Sequence, residues 1–433
     1  MKTRTHIFCF LTIILSALSA VAGPLTDYVK KPDASYTFTL DKVLPGDAHS
    51  IYTIKLTSQT WKDIPWQHWL SIIKPEKVDH PDAALLFITG GDNDNGPAPV
   101  DTSEAKALAF VATKLNAVVA MLSQVPNQPL FDGKSEDGII AYTFEEFLKT
   151  GDPEWPLLLP MTKSAVRAMD TIQAIGQKEF GQDIKRFMVA GGSKRGWTTW
   201  LTAVADPRVV SIAPMVIDVL NMGPQMAYQK QVYGAYSDQV ADYTDRGIQE
   251  YMQSDAGKKL LQIVDPYEYR EQLTLPKLVV LGTNDEYWCV DSAKWYFADL
   301  KGDSWLHYEP NAPHGLNLNV VPVIAAMYKS TLTGKKLPAV TWKRADDGAL
   351  EVAWDDPAGK AILWQAVSPN RDFRQAQWTG TPLESASPAR VTVTAPESGW
   401  RAYYVSVEFP LEESLTYPLS TMMTVVPDTM PQH

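Results

Sequence analysis

One stretch constrains this chain more than any other: Val189-Ala190-Gly191-Gly192-Ser193-Lys194-Arg195-Gly196-Trp197. An apolar run, Arg186 to Ala190, enters two glycines and a serine, and Trp197 to Ala205 then carries a helical pattern. The spacing predicts a strand, a tight turn and a helix with Ser193 at the apex. A serine held there in a strained backbone conformation has its hydroxyl lifted clear of the sheet edge. A base can reach it, and the next N–H faces a developing oxyanion. The pattern is G-x-S-x-G with one displacement, because Arg195 stands where the second glycine belongs and Gly196 follows it. Arg195 must then point aside, with Gly196 supplying the close contact between helix and strand. Taken alone, the turn is open to three readings: a nucleophile, a phosphate site at a helix N-terminus, or a plain strand-to-helix turn.

The rest of the chain says which sheet that turn belongs to. Tyr36 to Val43, Ile51 to Trp61 and Trp66 to Ile73 alternate polar and apolar residues as antiparallel strands do. Ala83 to Thr89, Ala117 to Leu122, Val209 to Val216, Lys277 to Gly282 and Trp305 to Tyr308 are short apolar runs, as central strands covered on both faces require. Helical periods separate them: Leu108, Val111 and Leu115 after a capping-box spacing of Asp101 and Glu104, and Val166, Met169, Ile172 and Ile175 within Thr162 to Phe180. The alternation predicts an α/β fold with a doubly wound, mostly parallel sheet. The excursion from Ser123 to Pro160 is expected to lie over the sheet's edge. Leu220 to Gln262, rich in tyrosine and glutamine, interrupts the sheet as a helical lid of about residues 220–265. Beyond about Lys335 period-two runs recur at short intervals, predicting an immunoglobulin-like β-sandwich over 336–433, read as a structural or binding accessory to a catalytic domain at 23–335.

Residues 1–22 have the form of a cleaved export signal: Lys2 and Arg4, an apolar run Ile7 to Leu18, and Ala20-Val21-Ala22 before Gly23. The expectation is a periplasmic or secreted protein without membrane insertion. Cys9 leaves with the signal, so Cys289 stays behind as a packed small residue without a disulfide partner. Loss of Lys2 and Arg4 takes the formal charge from −11 to −13, a sign that argues against nucleic acid and anionic membranes as partners. No metal-ligand spacing, phosphate loop or dinucleotide fingerprint is present, so no cofactor is expected. Oligomeric state is left open by the sequence.

A nucleophile needs a base, and the base an orienting acid. Past residue 22 the histidines are His49, His68, His80, His307, His314 and His433. Only His314 falls in a loop just after the last sheet strand, beside Gly315, whereas His307 lies within that strand. Asp285 follows the strand Lys277 to Gly282, with Asp218 and then Glu286 as alternative acids. The order Ser193, Asp285, His314 is that of α/β-hydrolases. Gly90-Gly91-Asp92-Asn93-Asp94, directly after a central strand, is placed either to give the oxyanion hole an N–H from Gly91 or Asp92, beside that of Lys194, or to form a surface turn or cation-binding loop.

Four stretches carry a family resemblance: Glu136-Asp137-Gly138-Ile139-Ile140-Ala141-Tyr142-Thr143, Pro160 through Asp170, Gly192-Ser193-Lys194-Arg195-Gly196-Trp197-Thr198-Thr199-Trp200, and Leu275 through Asp285. From about Trp61 past Arg374 the chain resembles the PhoPQ-activated pathogenicity-related family, which includes autocrine proliferation repressor proteins. The resemblance implies an exported bacterial protein of α/β-hydrolase fold, linked by the family's name to virulence regulation and to defence against host peptides. The Ser-Lys-x-Gly turn is also similar to the Ser-Arg-x-Gly turn of glucuronoyl esterases. That likeness implies an ammonium from Lys194 in the oxyanion hole; the alternative for Lys194 is a salt bridge at the pocket wall. The leading expectation is a serine hydrolase of small-molecule esters or peptides. The rival is a non-catalytic binding or signalling protein on the same scaffold.

Overall fold

A computed structural model describes residues 23–94, 96–412 and 415–433; the export signal expected at 1–22 lies outside the described residues. Nine strands form one sheet: β1 (Thr37–Gly46), β2 (His49–Trp61), β3 (Ile64–Pro75), β4 (Ala83–Ile88), β5 (Val118–Leu122), β6 (Arg186–Gly192), β7 (Val209–Met215), β8 (Lys277–Gly282) and β9 (Ser304–Glu309). Their spatial order is β1-β2-β3-β5-β4-β6-β7-β8-β9. The first three and the β3–β5 pair are antiparallel, and every pairing from β5 to β9 is parallel. The apolar runs are where a doubly covered sheet needs them, since β4, β5 and β8 are almost wholly buried.

Among the described residues ten α-helices follow in chain order: α1 (Pro24–Lys30), α2 (Ser103–Leu115), α3 (Glu136–Thr150), α4 (Leu158–Ile175), α5 (Lys194–Ala205), α6 (Met222–Tyr233), α7 (Ala241–Thr244), α8 (Ile248–Tyr251), α9 (Asp255–Val264) and α10 (Val321–Thr333). Alternate strand residues send their side chains to opposite layers. Leu86, Ile88 and Val189 pack with Met169, Ile172, Trp200 and Leu201 of α4 and α5. Leu85, Met188 and Ala190 pack with Leu108, Val111, Ile324 and Met327 of α2 and α10. Each such aliphatic or aromatic side chain removed from water contributes about 1.5–3 kcal/mol before chain entropy is counted. None of the described helices is long and apolar enough to cross a membrane.

Two local readings need correction. The cap of α2 is Thr102, not Asp101: its hydroxyl accepts from Ala105 N at 3.1 Å, one residue later than the capping-box spacing suggests. The excursion after β5 does not merely cover the sheet's edge, because it contains α3, a 15-residue helix packed against the lid helices α7, α8 and α9.

After α10 come β10 (Val340–Arg344), β11 (Leu350–Trp354), β12 (Lys360–Ser368), β13 (Thr379–Pro382), β14 (Ala389–Val391), β15 (Trp400–Glu412), β16 (Leu415–Ser420) and β17 (Thr424–Val426). They form two antiparallel sheets, β10-β11-β14 and β13-β12-β15-β16, with β17 on β15. Two of these strands lack a clear period-two signal: the four residues of β13 are all exposed, and β16 carries Pro418. This region docks on β9 through buried contacts: Tyr404 donates its hydroxyl to Tyr308 O at 3.2 Å, and Tyr308 N donates to Ser420 Oγ at 3.1 Å.

Candidate active site

The carboxyl ends of the parallel strands share one edge, and the loops leaving β4, β6, β8 and β9 meet there. At the end of β6, Ser193 sits at φ 56° and ψ −127°, a conformation that L-residues rarely adopt. Such strain persists only where neighbours over-determine it. Here Ser193 N donates to Met215 O at 2.8 Å on β7, and α5 starts at the next residue. Gly196 makes the turn possible, for a Cβ there would lie 2.8 Å from Met215 O and 2.9 Å from Gly191 O.

Arg195 points away from this contact and makes a bidentate pair with Glu136 at the start of α3, at 2.7 and 2.8 Å. Burial opposes the charge on Glu136, yet the Arg195 and Lys194 cations hold its carboxyl down at about 2. Lys194 ion-pairs with Asp137 at 2.7 Å and Glu136 at 3.2 Å. Its ammonium therefore stands in a salt bridge at the pocket wall. The two basic residues after the serine are thus matched by the two acids that open α3.

His314 closes on Ser193. Its Nε2 lies 2.8 Å from Ser193 Oγ, and its Nδ1 lies 2.9 and 3.0 Å from the two oxygens of Asp285. Asp285 is fixed in turn by Tyr287 N at 2.9 Å. The His314 loop reaches back over β8 because Gly282 lacks a side chain, a Cβ there falling 2.6 Å from Ala312 O. Tyr287 lies against the imidazole, ring centroids 4.1 Å apart.

The other acids stand elsewhere. Glu286 accepts from the His314 main-chain N–H at 2.8 Å, so it fixes the loop rather than the ring. Asp218 is buried just past the end of β7 and makes no hydrogen bond to His314; its Oδ1 and the Tyr296 hydroxyl are without partners among the described residues. Burial raises its carboxyl to about 8, the nearby Asp285 charge adding to the effect. His307 lies buried within β9 beside Glu309 at 3.1 Å.

Gly91 and Asp92 do not line the cavity that contains Ser193 and His314; they line a cleft with Trp69, Pro97 and Gln124. There Asp92 accepts from Gln124 and Gln128. Among the oxyanion candidates only Lys194 borders the serine's cavity. Cys289 is buried and unbonded to sulfur. No group of three or more His, Cys, Asp or Glu is placed to hold a metal ion among the described residues.

Two groups that hold this arrangement carry no signal in the sequence. Asn284, beside Asp285, donates its amide to Ala376 O at 2.7 Å and to Arg374 O at 3.2 Å. Asn311, in the His314 loop, bonds Trp378 N at 2.8 Å and Trp378 O at 3.0 Å. One segment of the C-terminal region thus fastens both the acid loop and the histidine loop. Arg371 of the same segment is buried against Tyr228 of α6 and 3.3 Å from Asp291, tying the lid into the joint. These asparagines look like ordinary turn residues in sequence, and only their facing carbonyls mark them.

A family model, PhoPQ-activated pathogenicity-related protein, matches residues 25–374. The chain belongs to that family. Its Ser193 turn, the α3 acids and the Arg371–Arg374 segment all fall within the match. A relative, autocrine proliferation repressor protein A from Dictyostelium discoideum, is 33% identical over 469 residues, covering 97% of this chain and 94% of that protein. Among solved structures, acetyl xylan esterase 1 from Thermoanaerobacterium sp. JW/SL YS485 matches with a TM-score of 0.50 at 13% identity, over 72% of this chain and 92% of that one. This PhoPQ-related chain therefore has the α/β-hydrolase fold, with a C-terminal β-region of two antiparallel sheets.

Proposed function

We propose that this protein is an exported serine hydrolase that cleaves carboxylic esters. The observation that carries the reading is the unbroken chain from Ser193 Oγ through His314 to Asp285, at 2.8 and 2.9 Å, on a strained turn at the head of a helix. Ser193 Oγ attacks the ester carbonyl as its proton passes to His314 Nε2, and Asp285 accepts from Nδ1–H to hold the reactive tautomer. The tetrahedral oxyanion develops beside the Lys194 main-chain N–H, where the α5 N-terminus adds its positive end. His314 then protonates the departing alcohol oxygen, and the acyl-enzyme is cleared by water that His314 deprotonates.

Export rests on the leader pattern of residues 1–22, and a role in virulence rests on the words of the family's description alone. A second reading, a non-catalytic signalling protein, draws on the printed name of the Dictyostelium relative. Hydrolysis of p-nitrophenyl esters by the purified protein separates the two. The enzyme reading expects turnover that Ser193→Ala reduces by about 10⁴-fold or more. Equal rates for wild type and variant, both at the buffer rate, leave the signalling reading standing.

A further inference from the structure

The cavity that holds Ser193 and His314 is walled on one side by the lid, and its chemistry restricts what can lie there. From the lid come Met222 and Met226 of α6, Val240, Ile248 of α8 and Met252 just after it; Phe144, Trp197, Ile217, Val219 and Trp288 add to the apolar wall, and Gln249 Oε1 and Trp288 Nε1 are its uncharged polar atoms without a partner among the described residues. Besides His314, the charged groups on that wall are Asp137 and Lys194, and both are already satisfied. Asp137 Oδ1 accepts from Tyr243 at 2.9 Å, while Oδ2 accepts from Lys194 at 2.7 Å and faces the Tyr287 hydroxyl at 3.5 Å. The Lys194 ammonium is shared between Asp137 and Glu136, and Glu136 is further taken by Arg195. A substrate ammonium finds no free carboxylate here, and a substrate carboxylate finds no free cation. Displacing either partner strands a buried charge, which costs more than a new pair returns.

We propose that the substrate presents an uncharged apolar group beside its scissile carbonyl, a medium-length hydrocarbon chain or an aryl ring, and that the lid pocket receives it. This rests on the ester-hydrolase reading. It sets aside cationic peptides and esters that carry a free carboxylate as preferred substrates. The methionines suit a flexible chain, because an unbranched thioether repacks around irregular apolar shapes with little strain. Pocket burial of one methylene corresponds to about a fourfold gain in kcat/KM, so several methylenes multiply to a large preference.

The test uses two ester series with the full-length mature protein: p-nitrophenyl acetate, butyrate, hexanoate and octanoate, and the acetate esters of ethanol, butanol, hexanol and octanol. The expected result is a kcat/KM that rises at least tenfold from the shortest to the longest member in one series. The acyl series rising places the apolar group on the acid, and the alcohol series rising places it on the leaving group. Met226→Trp, which fills the pocket, should reduce that long-to-short ratio at least tenfold; Ile248→Trp serves the same purpose if the first variant does not fold. Ratios flat or falling in both series, or a preference for lysine or arginine ethyl esters, overturn the proposal. Fluorophosphonate labelling of Ser193 in the same preparation keeps the two readings apart. Labelling with flat ratios removes the apolar substrate alone, whereas absent labelling removes the hydrolase and the substrate together.

Discussion

At the scale of single residues, two aspartates at neighbouring strand ends divide into different roles by environment. Asp285 carries contacts from His314 and Tyr287, which under the proposed mechanism makes it the orienting acid, and Asp285→Asn should then lower kcat by about 10⁴-fold while leaving the fold intact. Asp218 is buried without a partner for Oδ1, and its carboxyl is raised from 3.8 to about 8. Between those values the folded protein holds a proton that the unfolded chain releases, so stability falls as pH rises through that window. Below about pH 4 both states are protonated and the penalty vanishes. Asp218→Asn, which cannot ionise, should flatten this fall. Urea unfolding at pH 5 and pH 8 checks it, with the wild type losing more stability than the variant over that span. A wild type no less stable at pH 8 than the variant's own trend contradicts the assignment.

At the scale of elements, close approaches govern the site. Gly196→Val adds side-chain atoms where a Cβ already meets Met215 O at 2.8 Å, so α5 must move away from β7. Overpacking of this kind costs about 1–3 kcal/mol, and a displaced Ser193 should cut kcat further than the stability loss alone, measured as activity per folded molecule. Asn284→Ala frees the Asp285 loop from the carbonyls of residues 374 and 376. Misplacement of the acid by a fraction of an ångström lowers kcat by roughly ten- to a hundredfold with KM little changed. Steady-state kinetics with one good ester reads both constants. The strand-turn-helix around Ser193 was legible in sequence because glycine spacing and apolar runs encode it locally. So were β8 and its following Asp285, and β9 with His314 beyond it. The pairing of Lys194 and Arg195 with Glu136 and Asp137 was not, since nothing local joins residues 57 and 59 positions apart. The expectation that Arg195 turns aside carried half of that answer.

At the scale of the whole molecule, the C-terminal region is more than an accessory. Its segment from Arg371 to Trp378 contacts the acid loop, the histidine loop and α6 of the lid, so the site is assembled between regions far apart in sequence. Arg371→Leu leaves Tyr228 and Asp291 facing an apolar side chain, although Lys294 still pairs with Asp291 at 3.0 Å. Breaking a buried pair costs about 3–5 kcal/mol, and the remaining lysine places this change near the lower end. Denaturant unfolding measures it, and a midpoint unchanged from wild type contradicts a structural joint. Sequence texture located this β-region but could not foresee its docking, because alternating strands record which face is buried and not what buries it. The central claim, that Ser193 is an activated nucleophile, is tested most directly by labelling the mature protein with a fluorophosphonate and identifying the modified peptide by mass spectrometry. The account predicts a single adduct on Ser193, absent in Ser193→Ala and strongly slowed in His314→Ala. A folded wild-type protein that takes no label, or takes it on another residue, contradicts it.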